Sequence, residues 1–118
     1  MGRIFRRYLE GPKIYCCSTC GTHLSTNDQI ISRRFRGRGG QAYLFNRAVN
    51  VMTGPSERRV LITGLHVVAD IYCIQCESLI GWTYEEAFDR SQKYKEGKFI
   101  LEKTKITKSE WSEDVQRF

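Results

Sequence analysis

The chain has 118 residues, 41% hydrophobic content and a formal net charge of +6, the size and composition of one globular domain with a real core. No apolar run approaches the ~20 residues of a membrane helix, and the start, MGRIFRRYLEG, is too short and too charged for a secretory signal, so a soluble intracellular protein is expected. Five cysteines is an odd number that argues against a secreted disulfide framework; in a reducing compartment, paired Cys-x-x-Cys motifs more often bind metal or do redox work.

In chain order, residues 1–12 read as an N-terminal arm. KIYCC is a short apolar strand that enters the first Cys-x-x-Cys, and DQIISRRF is a second strand. RGRGG follows as a basic, Gly-rich turn that cannot continue a strand. QAYLFNRAVNVM is rich in aromatic and β-branched residues and predicts another strand. TGPSE, punctuated by Gly54-Pro55, predicts a turn, and RRVLITG a strand after it. LHVVADIYC alternates: Val67, Ala69, Ile71 and Cys73 share one face, His66, Val68, Asp70 and Tyr72 the other. SLIGWTYE continues from the second Cys pair. EEAFDRSQKYKEG is the one segment suited to a helix, short, polar and ended by Gly97. KFILEK is a last strand, and the polar tail, 104–118, is expected to fray. The reading is a mainly β, single-domain protein with at most one short helix, its core domain spanning 13–103.

Cys17 and Cys20 are spaced x2, as are Cys73 and Cys76. Each such turn aims two sulfurs at one point, and two turns supply the four ligands of a tetrahedral Zn²⁺ site. The 52 residues between Cys20 and Cys73 exceed a small zinc ribbon, so the intervening strands must fold back and let one structural zinc close a long loop. A redox pair of the thioredoxin kind needs a βαβ context, and none is visible. Cys16 sits beside a ligand; neighbours in an extended segment point to opposite faces, so it reads as a buried small hydrophobe.

These cysteines belong to a longer pattern. Cys17-x2-Cys20 is followed by Gly40, Leu44, Asn50, Gly64, Cys73-x2-Cys76, GWTY (Gly81 to Tyr84), Lys95 and Glu102. In this the chain resembles the Yippee family over about residues 13–103, and AYLFNRAVNV and SQKYKEGKFILE resemble the family's text closely. MGRIF and QIISRRFRGRGG are similar to the Yippee-like five branch and its fungal relatives. The resemblance implies a β-tent: antiparallel sheets pinned by zinc on four cysteines, similar to the cereblon ligand-binding domain and the Mis18 Yippee domain. It implies nuclear and cytoplasmic location, with links to centrosome and spindle, association with the CTLH/GID ubiquitin ligase, and no established catalysis.

Other residues carry weaker signals. Trp82 and Tyr84 share a face if their segment is a strand; by resemblance to cereblon they line a small-ligand pocket, and otherwise they are aromatic core. His66 can join such a pocket or replace a zinc ligand, a role that four well-spaced cysteines leave little need for, and an aromatic cage there would favour a cation or a flat imide-like group. Arg33, Arg34, Arg36 and Arg38 beside three glycines can grip phosphate or an acidic peptide, or form a solvated hairpin tip. Three functions compete: a non-catalytic protein-interaction module, a reductase similar to the B-type methionine sulfoxide reductases with Cys16 as its one spare thiol, and a nucleic-acid binder motivated by charge. The reading adopted is the interaction module, an accessory or docking subunit of a CTLH/GID-type ligase; its alternative is a small-ligand or modified-residue pocket.

Overall fold

A computed structural model describes residues 6–110. In it the strands are β1 (Lys13–Cys17), β2 (His23–Thr26), β3 (Ile30–Gly37), β4 (Gly40–Phe45), β5 (Val51–Leu61), β6 (Gly64–Cys73), β7 (Leu79–Ala87), β8 (Phe99–Glu102) and β9 (Ile106–Glu110). They form two antiparallel sheets, one of three strands in the order β2-β1-β9 and one of six in the order β3-β4-β8-β7-β6-β5. The mainly β, antiparallel expectation holds.

The large sheet is buried on both faces at its centre. In β4, Tyr43 and Phe45 join a cluster with Tyr15, Leu24, Ile71, Ile80 and Ile106, which fills the space between the two sheets. Ala42 and Leu44, one residue out of phase, join a second cluster with Val68, Tyr84 and Ile100 on the opposite face. The same period of two holds in β6: Ile71 and Cys73 face the small sheet, Val68 the second cluster. The alternation read from LHVVADIYC is therefore right, and each face carries a buried cluster.

A bulge redirects β7. Tyr72 pairs with Leu79 and Ile71 with Gly81, which leaves Ile80 as an extra residue. Ile80 points into the intersheet core, while Trp82 and Tyr84 point to the far face. Next to the bulge, a Cβ on Gly81 would lie 1.8 Å from the Ile100 carbonyl oxygen, so only glycine lets β7 lie this close to β8.

Three expectations are corrected. TGPSE is not a turn: β5 runs straight through it, paired with β6, with the register slipping between Thr53 and Ser56. β5 is an edge strand, where proline needs no ladder donor and a bulge absorbs the missing hydrogen bond. The segment EEAFDRSQKYKEG forms no α-helix; its first residues finish β7, and Arg90–Lys95 is a 3₁₀ turn capped by the Asp89 carboxylate accepting from the Ser91 N–H. The chain after Thr104 does not fray at once: Ile106–Glu110 pairs along β1 and buries Ile106. The rest of the polar tail lies outside the described residues. β2, with no strong sequence signal in THLST, is the other edge of the small sheet.

The arm is docked by Asn50, whose side-chain amide donates to the carbonyls of Arg7 (2.8 Å) and His23 (2.7 Å) and accepts from the Arg7 N–H (2.7 Å).

Candidate functional site

The turns after β1 and β6 have one local design. In the first, the Cys17 N–H donates to the Thr22 carbonyl (2.8 Å) and the Gly21 N–H to the Cys17 carbonyl (2.8 Å). In the second, Cys73 donates to Ser78 (2.9 Å) and Glu77 to Cys73 (2.8 Å). Both need a left-handed residue directly after the second cysteine. Gly21 takes it at φ 81°, and Glu77 takes it at φ 63°, a strained choice for a residue with a Cβ. Each turn also places a hydroxyl two residues beyond its second cysteine: Thr22 Oγ1 is 3.1 Å from Cys20 Sγ, and Ser78 Oγ is 3.2 Å from Cys76 Sγ. Those hydroxyls support thiolate character, and with Ser78 as the main cause the Cys76 thiol is pulled down to about 6.

The two turns bring four sulfurs together. Cys17 Sγ is 3.6 Å from Cys76 Sγ, Cys20 Sγ is 3.5 Å from Cys73 Sγ, and all four lie within 4.8 Å of one another. Tetrahedral zinc with Zn–S of about 2.3 Å requires sulfurs about 3.8 Å apart. The set therefore fits one metal ion, with four thiolates and no open position, which is the donor set of a structural zinc. Cys17 and Cys73 are buried, Cys76 is half-buried and Cys20 is exposed. Cys16 stands outside the cluster, 7% exposed, its thiol directed to the Ile14 carbonyl at 3.9 Å. Burial pushes that thiol up.

A second feature lies on the far face of the large sheet. Residues of both outer strands, β3 and β5, line one groove of about 920 Å³, so the sheet curls until its edges approach. Its floor is Trp82 and Tyr84, its walls are Arg34–Arg38 and Arg59–Thr63, and one end is closed by Tyr94 and Lys95. Trp82 and Tyr84 meet edge-on, ring centres 6.4 Å apart. Of the sequence-predicted residues, Trp82, Tyr84, Arg34, Arg36 and Arg38 line the groove. Arg33 does not: it reaches Asn27 (3.0 Å) and lies over the Tyr43 ring. His66 is fully buried behind the groove, its ring 5.3 Å from that of Tyr84 and its Nδ1 2.9 Å from the Gly64 carbonyl oxygen. It is no part of the sulfur cluster.

Sequence reasoning missed Lys95 and Glu102 as groove residues, and the β5–β6 hairpin tip as its wall. Lys95 is 2% exposed. Nothing in SQKYKEG marks that lysine as buried, because a polar 3₁₀ turn has no amphipathic period to read.

Comparison with known proteins agrees with this geometry. Residues 13–117 match the family model described as Yippee zinc-binding/DNA-binding/Mis18, centromere assembly. A yippee-like protein of Arabidopsis thaliana is 54% identical over 101 residues, covering 86% of this chain and 95% of that protein. One of Solanum tuberosum is 54% identical over 107 residues, covering 91% and 82%. The crystal structure of the Mis18 Yippee-like domain superposes with a TM-score of 0.68 at 15% identity, over 86% of this chain and 99% of that one, a likeness of fold. Four cysteines set for one zinc, two antiparallel sheets and these relatives together show that the chain belongs to the Yippee family.

Proposed function

We propose that this protein is a non-catalytic, zinc-pinned docking module that offers its groove to a segment of a partner protein. The observation that carries the reading is the groove's rim. Val60 is 84% exposed and Ile62 102% exposed at the β5–β6 tip, beside the exposed ring of Tyr94 and above an aromatic floor. A soluble domain gains nothing by holding such side chains in water, and apolar rims around a concave surface mark interaction sites. The zinc lies at the other face of the large sheet, where it holds the platform together and keeps no position for substrate. Cys16, the one cysteine outside the metal cluster, is buried against backbone, an unsuitable place for a nucleophile. The resemblance of MGRIF and QIISRRFRGRGG to the Yippee-like five branch supports a CTLH/GID-type ligase, in nucleus and cytoplasm, as the assembly in which it docks.

The test is capture of the tagged full-length protein from its own cells, with the bound proteins identified by mass spectrometry. A Val60→Asp, Ile62→Asp variant runs beside it; both positions are exposed enough to leave folding and zinc content unchanged. Ligase subunits retained by the wild type and lost by the variant are expected. A partner indifferent to the variant, or no stoichiometric partner, would count against the reading.

A further inference from the structure

The groove contains a buried cation that no anion meets among the described residues. The Lys95 ammonium is packed over three rings, with Nζ 5.0 Å from the centre of Phe35, 5.3 Å from Tyr84 and 5.9 Å from Tyr94. Its hydrogen bond goes to the Thr63 hydroxyl at 2.9 Å. Among the described residues the ion pairs join Arg59 with Glu57 and Asp70, and Lys93 with Glu96; none includes Lys95. A buried ammonium without a carboxylate is costly, and ring faces offset only part of that cost. The aromatic box that could have received a foreign cation is thus filled by the chain's own lysine, which inverts the sign of the ligand the groove suits.

Two further groups lack partners here. Among the described residues, the Trp82 indole N–H is buried with the Tyr84 hydroxyl beside it but no acceptor at hydrogen-bond geometry, and the Gln92 side-chain carbonyl is buried without a donor; both line the groove. Native interiors leave few such groups unpaired, and those at a concave surface point to a missing ligand. The wider field has the same sign as Lys95. Arg34, Arg36, Arg38, Arg59 and Lys95 line the groove against the carboxylates of Asp70 and Glu102. Asp70 is already paired with Arg59 at 3.0 Å, and Glu102 accepts the Gly39 N–H at 3.0 Å.

Resting on the docking reading, we infer that the groove recognises an acidic peptide segment, a glutamate or aspartate carboxylate accepting from Lys95 Nζ and the Trp82 indole while a peptide N–H donates to Gln92. A charge-assisted bond to a desolvated ammonium makes the carboxylate a main determinant of affinity.

The test uses the zinc-loaded full-length protein and fluorescence anisotropy. The probes are a labelled peptide of glutamates spaced by glycine, the same peptide with glutamine for glutamate, and a single-stranded DNA oligonucleotide. The glutamate peptide is expected to bind saturably and at least about tenfold tighter than the glutamine peptide. Lys95→Met, which keeps the packed stem, and Trp82→Phe, which keeps a ring, should each remove that preference with zinc content and melting temperature retained. Equal affinities, no saturable binding by either peptide, or a preference that survives Lys95→Met overturns the inference. Tighter, Lys95-dependent binding of the oligonucleotide overturns it in favour of phosphate. A captured partner lost with Val60→Asp, Ile62→Asp but indifferent to Lys95→Met sinks the acidic-peptide inference alone, whereas a partner indifferent to both sinks the docking reading.

Discussion

Glu77 and Gly21 occupy the same position in the two cysteine turns, and only one is suited to it. Glu77 holds φ 63° because its N–H must reach the Cys73 carbonyl to shape the turn. Left-handed backbone costs a residue with a Cβ roughly 1 kcal/mol or more, partly offset because glycine adds freedom to the unfolded chain. Glu77→Gly should therefore raise stability by about 0.5–1 kcal/mol, and Gly21→Ala should lower it by about 1 kcal/mol, since space around Gly21 is open and conformation alone decides. Urea unfolding of the zinc-loaded variants checks both. Lys95 gives a pH signature at the same scale. Burial lowers its pKa from 10.5. The unfolded chain then binds more protons than the folded one between the two values, so this group's contribution to stability improves as pH rises through the window just below 10.5. Below the folded value the desolvation penalty is fully present. The urea midpoint of the wild type, measured relative to Lys95→Met, should climb as pH rises toward 10.5; a constant difference would contradict the lowered value.

At the scale of elements, β7 does most to position the groove. Its bulge at Ile80 moves Trp82 and Tyr84 from the intersheet core to the far face, and the Gly81 contact with β8 fixes the bulge in place. Gly81→Ala puts a methyl group into the Ile100 carbonyl, a backbone atom that cannot rotate away. The expected loss is about 3 kcal/mol or more, visible as a melting-temperature drop and as loss of Trp82 near-ultraviolet dichroism. The period of two in LHVVADIYC was readable because β6 is regular over the residues that matter. The sequence GWTY showed that Trp82 and Tyr84 share a face but not which one, because a single extra residue in β7 changes the side to which the residues directly after it point. Pro55 misled for a related reason: its ring suits a turn, and only the position of β5 at the sheet edge makes a strand tolerable.

For the molecule as a whole, zinc joins the end of β1 to the end of β6 and so closes the small sheet onto the large one. Structural zinc in peptides contributes roughly 10–16 kcal/mol of apparent binding energy, comparable to or larger than the total stability of a domain, about 5–15 kcal/mol. Cys73→Ser, or chelation of the wild type, should therefore abolish cooperative thermal unfolding, with zinc content and circular dichroism as the readouts. Cys16→Ser should keep its zinc and unfold cooperatively, because its sulfur lies outside the cluster.

The sequence by itself determined the metal site and the class of fold. Cys-x-x-Cys geometry is local, so spacing alone names Cys17, Cys20, Cys73 and Cys76, and alternation of apolar residues is a local report of strands. Only the tertiary structure decided what surrounds those strands. β9 pairs with β1 across most of the chain, the outer strands β3 and β5 curl toward one another to make the groove, and a lysine in a polar turn is buried among three rings. Periodicity states which residues share a face; it does not state what lies opposite that face. That depends on pairings between distant segments, where edge positions, bulges and sheet curvature override local preference.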